Sequence, residues 1–389
     1  MKQRGERRIL YVQYTNPGAY PPLQHSSQLL AEAGWDVLFL GTGAFGADCL
    51  KVPENDRVRV EKFAWCGSGW RQKVHFLLFC MWCLWRAICF RPGWIYASDL
   101  FSCPAAVLIR FVARGRIIYH EHDLPSAVSS GLLRSVLYTL RKRCAQSASL
   151  CVVPSYGRAS LFRAEVGVTK VCVVWNCPRT ADATPAVSEN AGDTVRLLYH
   201  GSIAPGRPPR ELIDALAALP DKVRLVLVGY ETVGSRGYIQ DILARAEILG
   251  VLHRIEYLGP KQRAEMMAIC AACDIGIALI PTSSPDLNLK TLLGASNKVF
   301  DYLAGGLPVL VPALPDWEEL FVKGGYGRSC VPDDVQDLTK TIASLIADPQ
   351  GMRRMGERGR LQVLTEWNYE RQFVPVWRML HGLQQEANP

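Results

Sequence analysis

Ser296–Val311 reads SNKVFDYLAGGLPVLV, a spacing suited to holding a diphosphate. Ser296 is a favoured N-cap type, so a helix is expected from Asn297 with Lys298 in its first turn. Unpaired backbone N–H groups, the positive end of the helix dipole and an ammonium would then converge on one anion. Asp301 follows Asn297 by four residues and lies on the same face, one turn further in. From there its carboxylate can accept bonds from ribose hydroxyls. Ala304-Gly305-Gly306 ends the helix and Leu307-Pro308-Val309 enters a strand. On the residues alone, an ordinary capped helix with a surface Lys and Asp explains the run equally well.

A second polar cluster, Tyr119–Leu124 (YHEHDL), follows an apolar run. His120, Glu121, His122 and Asp123 point to metal binding or acid–base work. Alternation puts His120 and His122 on one side, but no third His or Cys ligand is evident. Asp99 ends the run YASD; facing the same cleft and capping the next helix are equally open. His200 fits a strand residue as well as a ligand contact. Trp317, Glu318 and Glu319 read as a solvated helix start. Arg141-Lys142-Arg143 reads as a wet helix face, with headgroup binding as the functional alternative.

Positioning these residues takes two α/β units. At 389 residues the chain exceeds one hydrophobic core. The first half alternates strands and helices: strand Ile9–Gln13, a Gly/Pro loop over Thr15–Pro22, helix Gln24–Ala33 and strand Asp36–Leu40. Strands Trp94–Ala97, Arg116–His120, Leu150–Val153 and Val171–Val174 continue it. Cys177–Asp193 is polar, rich in Ala, Pro and Thr, and reads as a linker. The pattern then restarts with strand Val195–His200 and runs to strand Pro308–Val311. Ligands in such sheets bind beyond the carboxyl ends of the strands.

Composition narrows the partners. With 49% hydrophobic and 21% charged residues, the chain is not disordered. Residues 1–190 carry 23 Lys+Arg against 13 Asp+Glu, a net of +10, while residues 191–389 carry 21 against 23, a net of −2. The first half therefore meets something anionic: nucleic acid, phospholipid headgroups or a phosphorylated acceptor. The basic N-terminus leads into too short an apolar stretch for a signal peptide. Among thirteen cysteines, the pairs Cys80/Cys83 and Cys270/Cys273 lie in apolar helical runs and read as buried reduced thiols of a cytoplasmic protein. Phe76–Trp85 (FLLFCMWCLW) is ten apolar residues between Arg71, Lys73, Arg86 and Arg91. That is too short to cross a bilayer, which takes about 20 residues. It reads as a helix packed on the sheet, as an interfacial helix lying on a membrane, or as both on opposite faces.

The Asn297–Val309 run resembles the donor-site signature of GT-B-fold retaining glycosyltransferases, the bacterial group 1 family, where N-K-x-x-E-Y-x-A-x-G-x-P-V is typical. Leu197–Ile213 (LLYHGSIAPGRPPRELI) resembles the family's first donor-domain strand and loop. Val226–Gly229, Tyr257–Gly259, Val153–Ser155 and Val174–Asn176 match further landmarks, and Thr365–Trp367 resembles the final helix that crosses back. The resemblance implies two Rossmann-like domains facing each other across a cleft. Residues 1–177 would bind acceptor, 178–193 link, 194–364 bind the nucleotide-sugar donor, and 365–389 return to the first domain.

By the same resemblance Gly201 lets the backbone approach the diphosphate, Arg207 and Lys298 neutralise it, and Asn297 and Asp301 complete the donor site. Gly18 in the Pro17-Gly18-Ala19 loop, Asp99 and His122 would face the acceptor, His122 contacting the reacting sugar or hydroxyl. Catalysis would rest on His122, Arg207 and Lys298, without an enzyme nucleophile, an essential metal or another cofactor. Three positions depart from the family pattern: Ser202 replaces a second Arg, Asp301 replaces Glu, and Leu293 replaces the first acid of a two-glutamate motif. The implied activity is sugar transfer from a UDP- or GDP-linked donor, in cell-surface polysaccharide or glycolipid synthesis. A lipid-linked acceptor and an anionic membrane surface are expected partners, nucleic acid is not, and the place is cytoplasmic, peripheral on the inner face of the membrane. The competing identities are a GT-B sugar-nucleotide epimerase, a phosphorylase and a non-catalytic nucleotide-binding partner.

Overall fold

The computed structural model describes residues 7–125, 131–183 and 194–382. Its first lobe runs β1 (Arg8–Val12), α1 (Pro21–Glu32), β2 (Asp36–Thr42), β3 (Val58–Phe63), α2 (Trp70–Phe90) and β4 (Trp94–Ser98). It continues with α3 (Cys103–Ala113), β5 (Arg116–His120), α4 (Leu132–Ser147), β6 (Leu150–Val153), α5 (Tyr156–Val166) and β7 (Val171–Val173). The strands form one parallel sheet in the order β3-β2-β1-β4-β5-β6-β7. Central strands of such a sheet are covered on both faces, which is why Ile9–Val12 and Trp94–Ser98 are wholly apolar or small and buried throughout. Register is direct: Leu10 pairs with Leu38 on one side and Ile95 on the other.

The second lobe comprises β8 (Val195–Ile203), α6 (Glu211–Ala218), β9 (Val223–Glu231), α7 (Tyr238–Ile248), β10 (Ile255–Tyr257), α8 (Arg263–Ala271) and β11 (Ile275–Ile277). Then follow α9 (Leu287–Lys290), α10 (Asn297–Ala304), β12 (Val309–Pro312), α11 (Pro315–Trp317), β13 (Gly327–Cys330), α12 (Val335–Ile346) and α13 (Pro349–Thr365). Its six parallel strands are ordered β10-β9-β8-β11-β12-β13. Strand order reverses between β1 and β4 in one sheet and between β8 and β11 in the other. The crevices at these switch points are where an open α/β sheet receives ligands.

After α13 the chain crosses back. Trp367 meets Phe300 of α10 edge-on (5.8 Å) and lies tilted against Trp175 (6.3 Å). Helices α14 (Tyr369–Gln372) and α15 (Val374–Leu380) then bury Tyr369, Phe373, Val376 and Leu380 against the first sheet. Of the expected linker, Thr180–Asp182 forms one tight turn, and Thr180 donates its backbone N–H to the Glu370 carboxylate (3.1 Å). Residues 184–193 and 383–389 of the expected linker and final helix lie outside the described residues.

Several expectations need correction. Strands β3 and β13 were not anticipated, because VRVEKF and GRSC are edge strands with polar, part-exposed positions instead of an apolar run. The apolar segment Phe76–Trp85 is the middle of a 21-residue helix, α2. Trp317 is not solvated but 2% exposed, packed against Phe321 at 5.7 Å. Arg141 is not on a wet face: it is 2% exposed, and its Nε and Nη2 donate to both Glu121 oxygens at 2.6 and 2.7 Å. Tyr119 adds a hydroxyl bond to Glu121 Oε2 (2.6 Å). Truncating one partner of a buried ion pair strands the other charge. Arg141→Ala is therefore expected to destabilise the first lobe by about 3–5 kcal/mol, measured by urea unfolding, with nucleotide binding at the second lobe retained below the transition.

Candidate active site between the lobes

A cavity of 570 Å³ opens between the carboxyl ends of the two sheets. On its donor side three elements meet: the end of β8, the loop that follows it, and the start of α10. Gly201 and Ser202 come from β8, Arg207 from the loop, and Asn297, Lys298 and Asp301 from α10. Tyr302 fixes α10 in place. Its hydroxyl donates to the Ile277 carbonyl of β11 (3.1 Å) and accepts from the His200 N–H of β8 (3.0 Å). Gly201 has φ +106°, and a Cβ there would fall 3.0 Å from Lys298 Nζ. The positive φ favours glycine at this turn, and the missing side chain leaves room for the ammonium.

Lys298 lies 5.1 Å from the centroid of the Tyr199 ring. Burial, then the nearby Arg207, push its ammonium down to about 7. Two positive groups and the first turn of a helix thus face one polar cavity, the arrangement that an anion relieves. Ser296 has the extended backbone of an N-cap, but its side chain makes no capping bond, so it begins α10 by backbone alone. Asn297 contributes a buried Oδ1 that lacks a partner within the protein.

Asp301 lines the cavity but is not the free carboxylate expected from the sequence. Its Oδ1 accepts from Arg263 at 2.7 Å, and Arg263 also pairs with Asp182 at 3.0 Å. Oδ2 is left 3.4 Å from His200 Nε2. One carboxylate oxygen therefore serves the protein, and His200 and Arg263 join the donor wall. Leu293 packs on the second-lobe core and does not line the cavity.

On the acceptor side His122 is 4% exposed, and both ring nitrogens are without partners. Its ring stacks on His120 (centroids 3.8 Å) and meets Tyr20 edge-on at 5.5 Å. Burial, then Arg158, push it down to about 3, so it is neutral and can both donate and accept. His120 faces the same way, as alternation requires, but bonds Tyr96 through Nδ1 (2.9 Å) and does not line the cavity. Glu121 points away, toward Arg141. Asp123 lines the cavity, paired with Arg158 at 3.2 Å. Among the described residues, no three His, Cys, Asp or Glu side chains gather as metal ligands.

Two acceptor-side residues act differently than expected. Asp99 neither lines the cavity nor caps with its side chain. Held at φ +62°, it accepts the His122 backbone N–H at 2.7 Å, a strained residue positioning the histidine from behind. Gly18 lines the cavity, but a Cβ there would fall 2.2 Å from the Leu50 carbonyl oxygen. Packing against the protein's own backbone already requires glycine there.

Arg158, Arg263 and Asn288 were not singled out from the sequence. Asn288 grips the Leu124 backbone at both ends, accepting its N–H (2.7 Å) and donating to its carbonyl (2.9 Å). Arg158 donates across the lobes to the Asn288 carbonyl (3.2 Å). These partners lie 130 or more residues apart, so local pattern carries no signal for them.

Residues 207–375 match a family model described as "Glycosyl transferase-like". Glycogen synthase of Mycobacterium tuberculosis is 24% identical over 403 residues, covering 93% of this chain and 92% of that one. A GDP-mannose-dependent alpha-(1-6)-phosphatidylinositol monomannoside mannosyltransferase of Mycolicibacterium smegmatis is 26% identical over 176 residues, 45% of either chain. The crystal structure of Anabaena HepE in complex with UDP and glucose superposes with a TM-score of 0.72 at 18% identity, covering 97% of this chain and 100% of that one. Two parallel-sheet lobes with a cation-lined cleft between them give the chain the GT-B fold, and in sequence it is similar to glycosyltransferases of the group 1 type.

Proposed function

We propose that the chain moves a hexosyl or related unit from a UDP- or GDP-linked donor, with retention of configuration, onto a lipid-linked or membrane-proximal acceptor in cell-surface polysaccharide or glycolipid synthesis. One observation carries the donor assignment: Arg207, Lys298 and the start of α10 face a single cavity opposite His122. Negative charge builds on the leaving diphosphate, so preorganised cations favour the transition state over the ground state. Anabaena HepE, which shares the fold, was solved with UDP and glucose.

The proposed chemistry needs no metal and no enzyme nucleophile. The three carboxylates lining the cleft are occupied: Asp123 with Arg158, Asp301 with Arg263, and Asp286 as the cap of α9, accepting the Asn288 N–H at 2.9 Å. The acceptor oxygen would attack the anomeric carbon as the C–O bond to phosphate breaks, and the leaving phosphate would take the acceptor proton. His122, neutral and unpartnered, would hydrogen-bond the transferred sugar or the incoming hydroxyl.

The acceptor assignment rests on α2. One face buries Phe79, Cys83 and Ala87 in the first core, while Trp70, Leu77, Leu78, Met81 and Trp85 are each more than half exposed on the other. The helix is long and apolar enough to cross a bilayer. Its connections to β3 and β4 of one sheet keep it on the protein, so lying in the interface is the arrangement that satisfies both faces. Phe111 on α3 and Leu132 on α4, at 86% and 83% exposure, extend the apolar area on neighbouring helices. Arg71, Lys73, Arg110 and Arg134 on the same helices supply charge for anionic headgroups. This surface and thirteen free thiols support the reading of a cytoplasmic protein peripheral on the inner face.

Three outcomes are expected. UDP or GDP should raise the melting temperature without added metal and in EDTA. Arg207→Ala and Lys298→Ala should each weaken that nucleotide about ten-fold to hundred-fold, as loss of a charged hydrogen bond does; stabilisation by no nucleotide would remove the proposal. Because Lys298 titrates near 7 when free, a bound diphosphate raises its proton affinity. Binding above pH 7 should take up a proton and weaken as pH rises, by at most about ten-fold per unit. Calorimetry in two buffers of different ionisation enthalpy reads the uptake, which Lys298→Met should abolish. Liposomes rich in anionic lipid should sediment the protein at low salt and release it at high salt, and Leu77→Asp/Met81→Asp should stop sedimentation while nucleotide binding stays intact.

A further inference from the structure

A second cavity of 350 Å³ adjoins the donor cleft, at the lower end of the ~300–1,000 Å³ typical of small-molecule sites. Tyr20 from the first lobe and Tyr230 and Thr232 from the second line both cavities, so the two share a wall. Their chemistry differs sharply. Among the described residues, eight charged side chains line the donor cleft, including Arg158, Arg207 and Lys298, whereas no Asp, Glu, Lys or Arg lines the smaller chamber.

The chamber's walls are aromatic faces interleaved with neutral hydrogen-bonding groups. Tyr14, Trp65 and Phe101 supply the rings, and Thr15, Thr42 and Gln72 supply hydroxyls and an amide. The wall is held firmly. The Tyr14 hydroxyl is fixed on His75 Nδ1 at 2.7 Å, and its ring packs edge-on to Phe76 and Phe79 near 5 Å. Trp65 is left 51% exposed at the chamber.

We propose that this chamber is the acceptor subsite and that it takes an uncharged sugar ring, the unit that receives the transferred glycosyl group. This inference rests on the transfer reaction proposed above and names its acceptor class. A pyranose offers C–H faces to aromatic rings and hydroxyls to neutral donors and acceptors, which matches these walls. A phosphate or uronate would lose its hydration there with no cation in compensation. Tyr20 stands between the chamber and the donor cleft, and its ring meets His122 edge-on. Gln72 and His75 belong to the first turns of α2. The chamber therefore opens where the exposed apolar face of α2 begins, and a lipid tail can stay outside while the ring enters.

Saturation-transfer NMR on the full chain loaded with UDP or GDP tests this. The probes are the methyl α-glycosides of glucose, mannose and galactose, set against methyl glucuronide and glucose 1-phosphate. At least one neutral glycoside should bind and be weakened ten-fold or more by Trp65→Ala. Trp65→Phe should restore most of the affinity, and Ile248→Ala, at an exposed apolar position of α7 outside the chamber, should change nothing. Nucleotide affinity should be equal in all these proteins. Binding of no neutral glycoside, tighter binding of the anionic probes, or indifference to Trp65→Ala overturns the inference and leaves the donor assignment standing. Failure to load any nucleotide overturns the transfer reaction itself.

Discussion

Two like charges brought together away from water are the constraint around which the donor lobe is organised. Arg207 and the half-buried Lys298 face one cavity, and the ammonium gives up much of its proton affinity to remain there. Nothing in folding rewards that arrangement. It is maintained because α10 is bolted to β8 and β11 through one tyrosine hydroxyl, and because Gly201 leaves space for the lysine tip. Desolvated like charges at one cleft are what a binding site for an oppositely charged ligand looks like before the ligand arrives.

The remaining polar groups of the cleft are tuned by the same means. Asp301 is quieted by Arg263, and Asp123 by Arg158. His122 is kept neutral by burial and aimed by Asp99 through its backbone. The cleft thus combines fixed positive charge on one wall with a neutral hydrogen-bonding ring on the other. That asymmetry suits a reaction in which charge flows to the diphosphate and the acceptor arrives uncharged.

Much of this was legible in the sequence because the information is local. The central strands are unbroken apolar runs, and Asn297–Val309 carries helix start, lysine, acid and turn within thirteen residues. For Phe76–Trp85 the sequence left burial on the sheet, an interfacial position and both at once open, and α2 has one buried and one exposed face. What escaped has a physical reason. Edge strands β3 and β13 trade apolar residues for polar ones, so periodicity does not mark them. Arg141 sits in a basic triplet that looks solvated, and only the fold brings Glu121 to it. The partner that occupies Asp301 comes from another helix, so a carboxylate read as free is half engaged. Sequence spacing locates groups that act within one element; it is silent on which charges meet across elements.

The Asn288 contact with Leu124 has a kinetic meaning. It joins an amide side chain of one lobe to main-chain atoms of the other, helped by Arg158. No side chain at position 124 is needed for it, so the latch tolerates drift at that residue while remaining sensitive to any change at 288. These polar bonds bridge the two lobes beside the cleft, so any parting of the lobes breaks them. In enzymes that shut over their substrates, opening often sets the turnover rate, and this amide holds the closed arrangement although it touches no reacting atom.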